Sequence, residues 1–425
     1  MEKYIDSERI DLFEPNIYIQ FQVQIIGNPL PEEIVTAIKK AFLANEVTMS
    51  KIEFDGLGNS YYKRMEESGC KVSIVKDKWL DLMRMNEKIP FAIDQGEFIR
   101  VFVIMSKEGT YLFLMAHHLV GDGKSITYFL EDIMRALSGE KLEYKEMELI
   151  TQESMPPKSE LPKLVKLYAS RYNHKWKSTG RIFHWKDYYK IHETYWKDRS
   201  SQVLLEYFTP EELTQIHKNA KQIGVSVNSY IITAFLEANR ENSIIGIAVN
   251  ARKDNNKSMS NQATGISVNH TYSDRLGFKK NAQLIHRKAL FKLAKPVTKY
   301  FILRFIPLFQ KSLIDSALLF TYGLYQNKIS QKFAKLMGYA GGQARELGIT
   351  NLTRLDIPNV YGEYELRNVI FIPPVVSYAK HIIGVATMGD GMTISYHFMS
   401  DQNKEKETEF FKHAIKNLRV EEHEG

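Results

Sequence analysis

The chain has 425 residues, 44% of them apolar and 25% charged, with a formal net charge of +7 at pH 7. That length exceeds one ordinary core and suits two domains, and the composition is that of a globular protein, not a disordered one. A single cysteine, Cys70, excludes a disulfide framework and any cysteine-based zinc site, and fits a reducing compartment.

The first stretch, MEKYIDSERIDLFEP, carries acids and no apolar core, so it does not read as a secretory signal. No uncharged apolar run reaches the roughly 18 residues that a spanning helix needs. Cytoplasm is the expected location. Tyr18 to Ile26 alternates as a strand, and Glu32 to Ala44 has helical periodicity with acids in its first turn. Phe98 to Met105 and Thr110 to His117 read as two strands of a hairpin turning at Lys107-Glu108-Gly109. Ile126, Phe129, Leu130, Ile133, Met134 and Leu137 then recur at helical spacing, with Gly139 as the stop.

Gly139 to Pro162 is polar and proline-punctuated and reads as a linker. Val203 to Phe208 follows as a strand. Thr209-Pro210-Glu211-Glu212 opens a helix with a cap, a proline and two acids. Ser226 to Asn239 is helical and Ile244 to Val249 is a short buried strand. Past Gly341-Gly342, strands are expected at Leu366 to Ile372, His381 to Met388 and Met392 to Phe398, the last two joined by Gly389-Asp390-Gly391; Thr408 to Leu418 is a terminal helix.

The most specific feature lies where the hairpin meets the first long helix: His117-His118-Leu119-Val120-Gly121-Asp122-Gly123. Two imidazoles and a carboxylate are set at a strand end and a helix start, where open sheets tend to place ligands. This stretch resembles the HHxxxDG motif of the condensation-domain and chloramphenicol-acetyltransferase-like superfamily of acyltransferases. The likeness continues in order along the chain. Pro90-Phe91 through Gly96 to Arg100 looks like the family's lead-in, and Ile245 to Arg252 looks like its strand ending in arginine. Gly265 to Asn269 resembles a G-x-x-x-N segment, and Thr350-Asn351-Leu352-Thr353 stands where an S-N-x-G turn is usual. The nearest flavour is the stand-alone condensation or alcohol-acetyltransferase type.

The resemblance implies an α/β sandwich of two similar lobes with mixed sheets and a tunnel between them. Residues 1–150 would form the first lobe, 151–200 a crossover, and 201–425 the second lobe. It also implies acyl transfer from a thioester, either acyl-CoA or an acyl or peptidyl carrier protein, to a small alcohol or amine. CoA or phosphopantetheine would arrive as co-substrate, with no permanently bound cofactor and no metal, in a chain expected to be monomeric. Such chemistry needs a base for the acceptor proton, and neutral imidazole suits that task near physiological pH. His118 takes this role by resemblance, the alternative being a satisfied core histidine.

His117 should face the other way along the strand and serve packing and hydrogen bonding. Asp122 either orients the imidazole or, as the resemblance argues, pairs with Arg252 to fix the loop; helix capping is compatible with both. Gly121 and Gly123 allow a tight turn. Ser125, Asn351 and Asn269 are candidate substrate contacts, the first two with a structural alternative. Cys70 reads as packing.

The sequence departs from the pattern after the first helix, where Asn45 to Ser50 replaces a basic-His-Pro element, and at Thr353, where the usual glycine is missing. Three other readings stand beside acyl transfer. One is a non-catalytic relative that binds a carrier protein or ligand. A second is a nucleic-acid module built on basic, aromatic Lys163 to Arg199. The third is a membrane surface at 275–325, where Arg275 to Ile314 holds ten Lys or Arg and no acid.

Overall fold

The computed structural model describes residues 2–107, 109–241, 243–253, 256–340, 345–377 and 379–420. The first half supplies strands β1 (Lys3–Tyr4), β2 (Tyr18–Ile26), β3 (Ser50–Phe54), β4 (Ser60–Arg64), β5 (Lys71–Val75), β6 (Ile99–Ser106) and β7 (Gly109–His117). The second supplies β8 (Ser201–Phe208), β9 (Ile244–Asn250), β10 (Ala263–Asn269), β11 (Arg345–Arg354), β12 (Val360–Tyr361), β13 (Tyr364–Ile372), β14 (Ala379–Met388) and β15 (Gly391–Met399). They form two mixed six-stranded sheets, ordered β12-β13-β2-β7-β6-β5 and β10-β9-β11-β14-β15-β8, and a small sheet β1-β4-β3. The expected α/β sandwich with two mixed sheets is the observed architecture.

Burial explains the layering. β7 carries a continuous apolar run because both of its faces are covered, and Leu112 to Ala116 are fully buried. The helices Pro31–Ala44 and Gly123–Leu137 pack together on that sheet, with Phe42 and Phe129 stacked 5.4 Å apart. A side chain of this kind stabilises the fold by about 1.5–3 kcal/mol on full burial. The second sheet is covered by the helices Val227–Ala238, Gly277–Leu293 and Lys404–Leu418, and buried Tyr396 stacks on Phe411 at 5.7 Å.

The halves of the chain do not keep to separate lobes. β12 and β13 leave the second half and join the first sheet, where β13 pairs antiparallel with β2 and sets Phe371 opposite Phe21. Ser395 on β15 donates to the Phe371 carbonyl at 2.6 Å, so β13 ties the sheets together. A division at residue 201 therefore misses this exchanged segment.

Residues 151–200 are more than a crossover. They include the helices Lys163–Lys177 and Trp185–Trp196, which pack on the first lobe's core. Trp176 donates to Ser312 Oγ and Trp196 to the Pro15 carbonyl, each at 2.8 Å. With Trp176 and Trp196 buried, neither is free to stack on bases. Many apolar residues of 275–325 turn inward, with Leu303, Phe305, Ile306, Phe309, Leu313 and Leu318 buried, whereas Leu290, Phe291 and Phe301 are exposed. Among the described residues no helix is long and apolar enough to cross a membrane.

Candidate active site

β7 ends at His117, and a 3₁₀ turn, His118–Val120, carries the chain to Gly121. The His118 amide donates to the Ile17 carbonyl at 3.1 Å, which pins the turn to the start of β2. The two imidazoles diverge. His117 packs against Tyr18 and Phe91, both with ring centroids 6.2 Å away, and its Nδ1 accepts from the Leu119 amide at 3.2 Å. Burial holds its pKa down at about 3, so it is neutral.

His118 instead lines a cavity of about 200 Å³ between the lobes. Ile17 and the neighbouring Glu8 and Asp11 come from the first lobe; Gly246 to Ala248 on β9, Gly265 on β10 and Gly348 to Thr350 on β11 come from the second. Ile302 and Leu303 also line it, so part of the basic segment covers this cavity. Burial lowers the His118 pKa and the Asp122 charge opposes that. Its Nδ1 is buried without a hydrogen-bond partner. Val376 and Ala379 line both this cavity and an adjoining one of about 620 Å³ beside Tyr195, Arg199 and Ser377.

Asp122 caps the helix Gly123–Leu137 by accepting from the Ser125 amide at 2.9 Å, and accepts from the Gln262 amide of the second lobe at 2.9 Å. Arg252 Nη2 lies 3.1 and 3.2 Å from its two oxygens, and both side chains are under 10% exposed. Arg252 further donates to the Ser258 carbonyl at 2.8 Å and to Ser125 Oγ at 2.8 Å. Ser125 is thus engaged by the loop, donating to the Ser260 carbonyl at 2.8 Å. Gly121 has φ +149°, and a Cβ there would sit 2.4 Å from Ser125 Cβ; a Cβ on Gly123 would meet Leu352 at 2.8 Å. Both glycines permit close approach of the lobes.

Two of the candidate contacts lie elsewhere. Asn351 is in β11, not in a turn, at a bulge before Thr353, which has φ +61°. It donates to Asn228 Oδ1 at 3.4 Å and lines a different cavity, with Leu213 and His217. Thr350, its neighbour, lines the His118 cavity. Asn269 ends β10 on the exposed side, and its carbonyl accepts from Lys288 at 2.7 Å. Half-buried Cys70 donates to the Gly96 carbonyl at 3.7 Å. Among the described residues no cluster of three or more His, Cys, Asp or Glu could hold a metal ion.

The sequence reading missed the acids. Glu8 and Asp11 sit in and beside a short helix, Arg9–Leu12, that packs against the His118 turn. Burial, then Asp11 and Asp122, push the Glu8 carboxyl well above its usual range; burial and Glu14 raise Asp11 to about 8. Locally they look like acids of an exposed N-terminus, and only the tertiary fold buries Glu8 and half-buries Asp11.

No family model and no curated protein matches the chain. Solved structures do. The chain is similar to the epimerization domain of the third module of tyrocidine synthetase B (13% identity, TM-score 0.64, 99% of this chain and 96% of that one). It is similar also to the condensation domain of the monacolin K polyketide synthase MokA (10%, TM-score 0.63, 99% and 97%). A third is the trichothecene 15-O-acetyltransferase TRI3 from Fusarium sporotrichioides (13%, TM-score 0.63, 99% and 95%). Over 99% of its length, the chain shares the fold of these epimerization, condensation and acetyltransferase structures.

Proposed function

We propose that the protein is an acyltransferase that moves an acyl group from a CoA or phosphopantetheine thioester to a hydroxyl or amine. The observation that supports this reading is the position of His118, an imidazole whose pKa is lowered by burial and which lines a cavity shared by both lobes. In the proposed reaction the acceptor's O–H or N–H proton passes to His118 as the heteroatom attacks the thioester carbonyl carbon. The tetrahedral intermediate then collapses, the carbon–sulfur bond breaks, and the departing thiolate takes the proton back from His118. The thioester is already activated, so direct attack in a ternary complex suffices and no enzyme nucleophile is required.

Asp122 and Arg252 hold the turn that aims the imidazole, and the Asp122 charge supports its protonated form during the reaction. Mass spectrometry of wild type and His118→Ala, incubated with mixed acyl-CoAs, loaded carrier protein and alcohol or amine acceptors, tests the proposal. Wild type is expected to form ester or amide, and loss of the base to lower the rate by about 10²–10⁴-fold. Product from neither donor would favour a ligand-binding relative, and undiminished product in His118→Ala would remove the imidazole from the mechanism.

A further inference from the structure

The His118 cavity holds two carboxyls that the acyl-transfer scheme does not use. Glu8 is 7% exposed and lines the cavity; the Asn261 backbone bonds its carboxyl, and Oε1 has no hydrogen-bond partner. Asp11 lines the same space. No lysine or arginine is among the described residues of that lining. Arg9, between them in sequence, is turned away: Nε and Nη2 clamp Asp315 at 2.8 and 2.6 Å, and Nη1 donates to Ser60. Arg252 is likewise committed, to Asp122. A desolvated carboxylate without a counter-charge is costly and gives way to its protonated form. The structure thus places two acids on a cavity lining that holds no counter-charge, where a cationic hydrogen-bond donor would satisfy them.

We infer that this cavity binds a bifunctional acceptor, an amino alcohol or diamine, with its ammonium set against Glu8 and Asp11 and its second group facing His118. An ammonium paired with a carboxylate has no lone pair and cannot attack a carbonyl. The nitrogen held by Glu8 and Asp11 is therefore an anchor, and the acylated atom is the other end of the molecule. Which end reacts rests on the acyl-transfer reading; that the ammonium binds here does not.

Calorimetry without any thioester tests the binding, using aminobutanol and pentanol, which differ by a cationic group in place of a methyl. The amine is charged at neutral pH as a lysine side chain is. Wild type is expected to bind aminobutanol at least tenfold more tightly than pentanol, and Glu8→Gln and Asp11→Asn each to remove most of that preference. Equal binding of the two probes by wild type, or a preference that survives both substitutions, overturns the inference. Should neither variant fold, hydrogen exchange in wild type decides. Slowed exchange at Ser7 to Leu12 with aminobutanol but not pentanol supports the site, and unchanged exchange rejects it. Amine binding by a protein that forms no product would leave this inference standing and defeat acyl transfer, whereas product from neutral alcohols with no amine preference would do the reverse.

Discussion

Asp122 and Arg252 are 130 residues apart in the chain and 3.1 Å apart in space, one capping a helix of the first lobe and the other beyond the end of a strand of the second. Both are nearly inaccessible, so removing either leaves the other as a buried charge without its partner. Asp122→Ala and Arg252→Ala are each expected to lower stability by about 3–5 kcal/mol. The double variant should lose clearly less than the sum, because no stranded charge remains. Urea unfolding of all four proteins measures this, and additive losses would mean that the pair is not coupled.

His118 carries a prediction about rate. Burial lowers its pKa from the ordinary 6.5, so the basic form persists to lower pH than in a free imidazole. The acid limb of kcat/KM for acyl transfer should therefore be centred below pH 6.5. A limb centred above 6.5 would contradict the buried environment described for this ring. His117→Gln, in contrast, is expected to change stability more than the position of that limb, because His117 faces the core and not the cavity.

The division between what the sequence shows and what it hides follows from range. The strand ending at His117, the cap at Asp122 and the helix to Leu137 are written in local periodicity, and the structure has them at nearly those bounds. The motif also pointed to the Arg252 partner, which spacing alone does not reveal. The exchanged β13 was read as a strand, but which sheet it joins depends on pairing with β2, more than three hundred residues earlier. The carboxyls Glu8 and Asp11 carry no local signal, since their burial comes from the helix packing against the His118 turn. Resemblance to an S-N-x-G motif places Asn351 in a turn, whereas it lies in the central strand β11 beside a bulge.

Gly121 tests how tightly the loop is built. Its φ of +149° disfavours a side chain, and an added Cβ would lie 2.4 Å from Ser125 Cβ and 3.2 Å from the Ser260 amide. Gly121→Ala should cost about 1–3 kcal/mol and displace Ser125 from its bond to Arg252. Differential scanning calorimetry measures the loss; a variant as stable as wild type would show that the loop can relax.

The cavity acids and the core histidines give stability opposite slopes with pH. His117 and His192 have pKa values lowered to about 3 and His397 to about 4, all by burial. Below 6.5 the unfolded chain gains protons there that the folded one refuses, so stability falls as pH falls. Asp11 is raised to about 8 from 3.8. Its contribution is fully present below the unfolded value and is lost as pH rises toward 8, because the folded form holds the proton longer. Above pH 6.5 the histidine slope has ended and the acid slope remains. Stability is therefore expected to decline between pH 6.5 and 8, and Asp11→Asn to remove up to about 2 kcal/mol of that decline. Urea unfolding across this range measures it. A decline identical in Asp11→Asn would show that this carboxyl is ionised in the folded protein at pH 6.5, and would assign the slope to other raised acids such as Glu14.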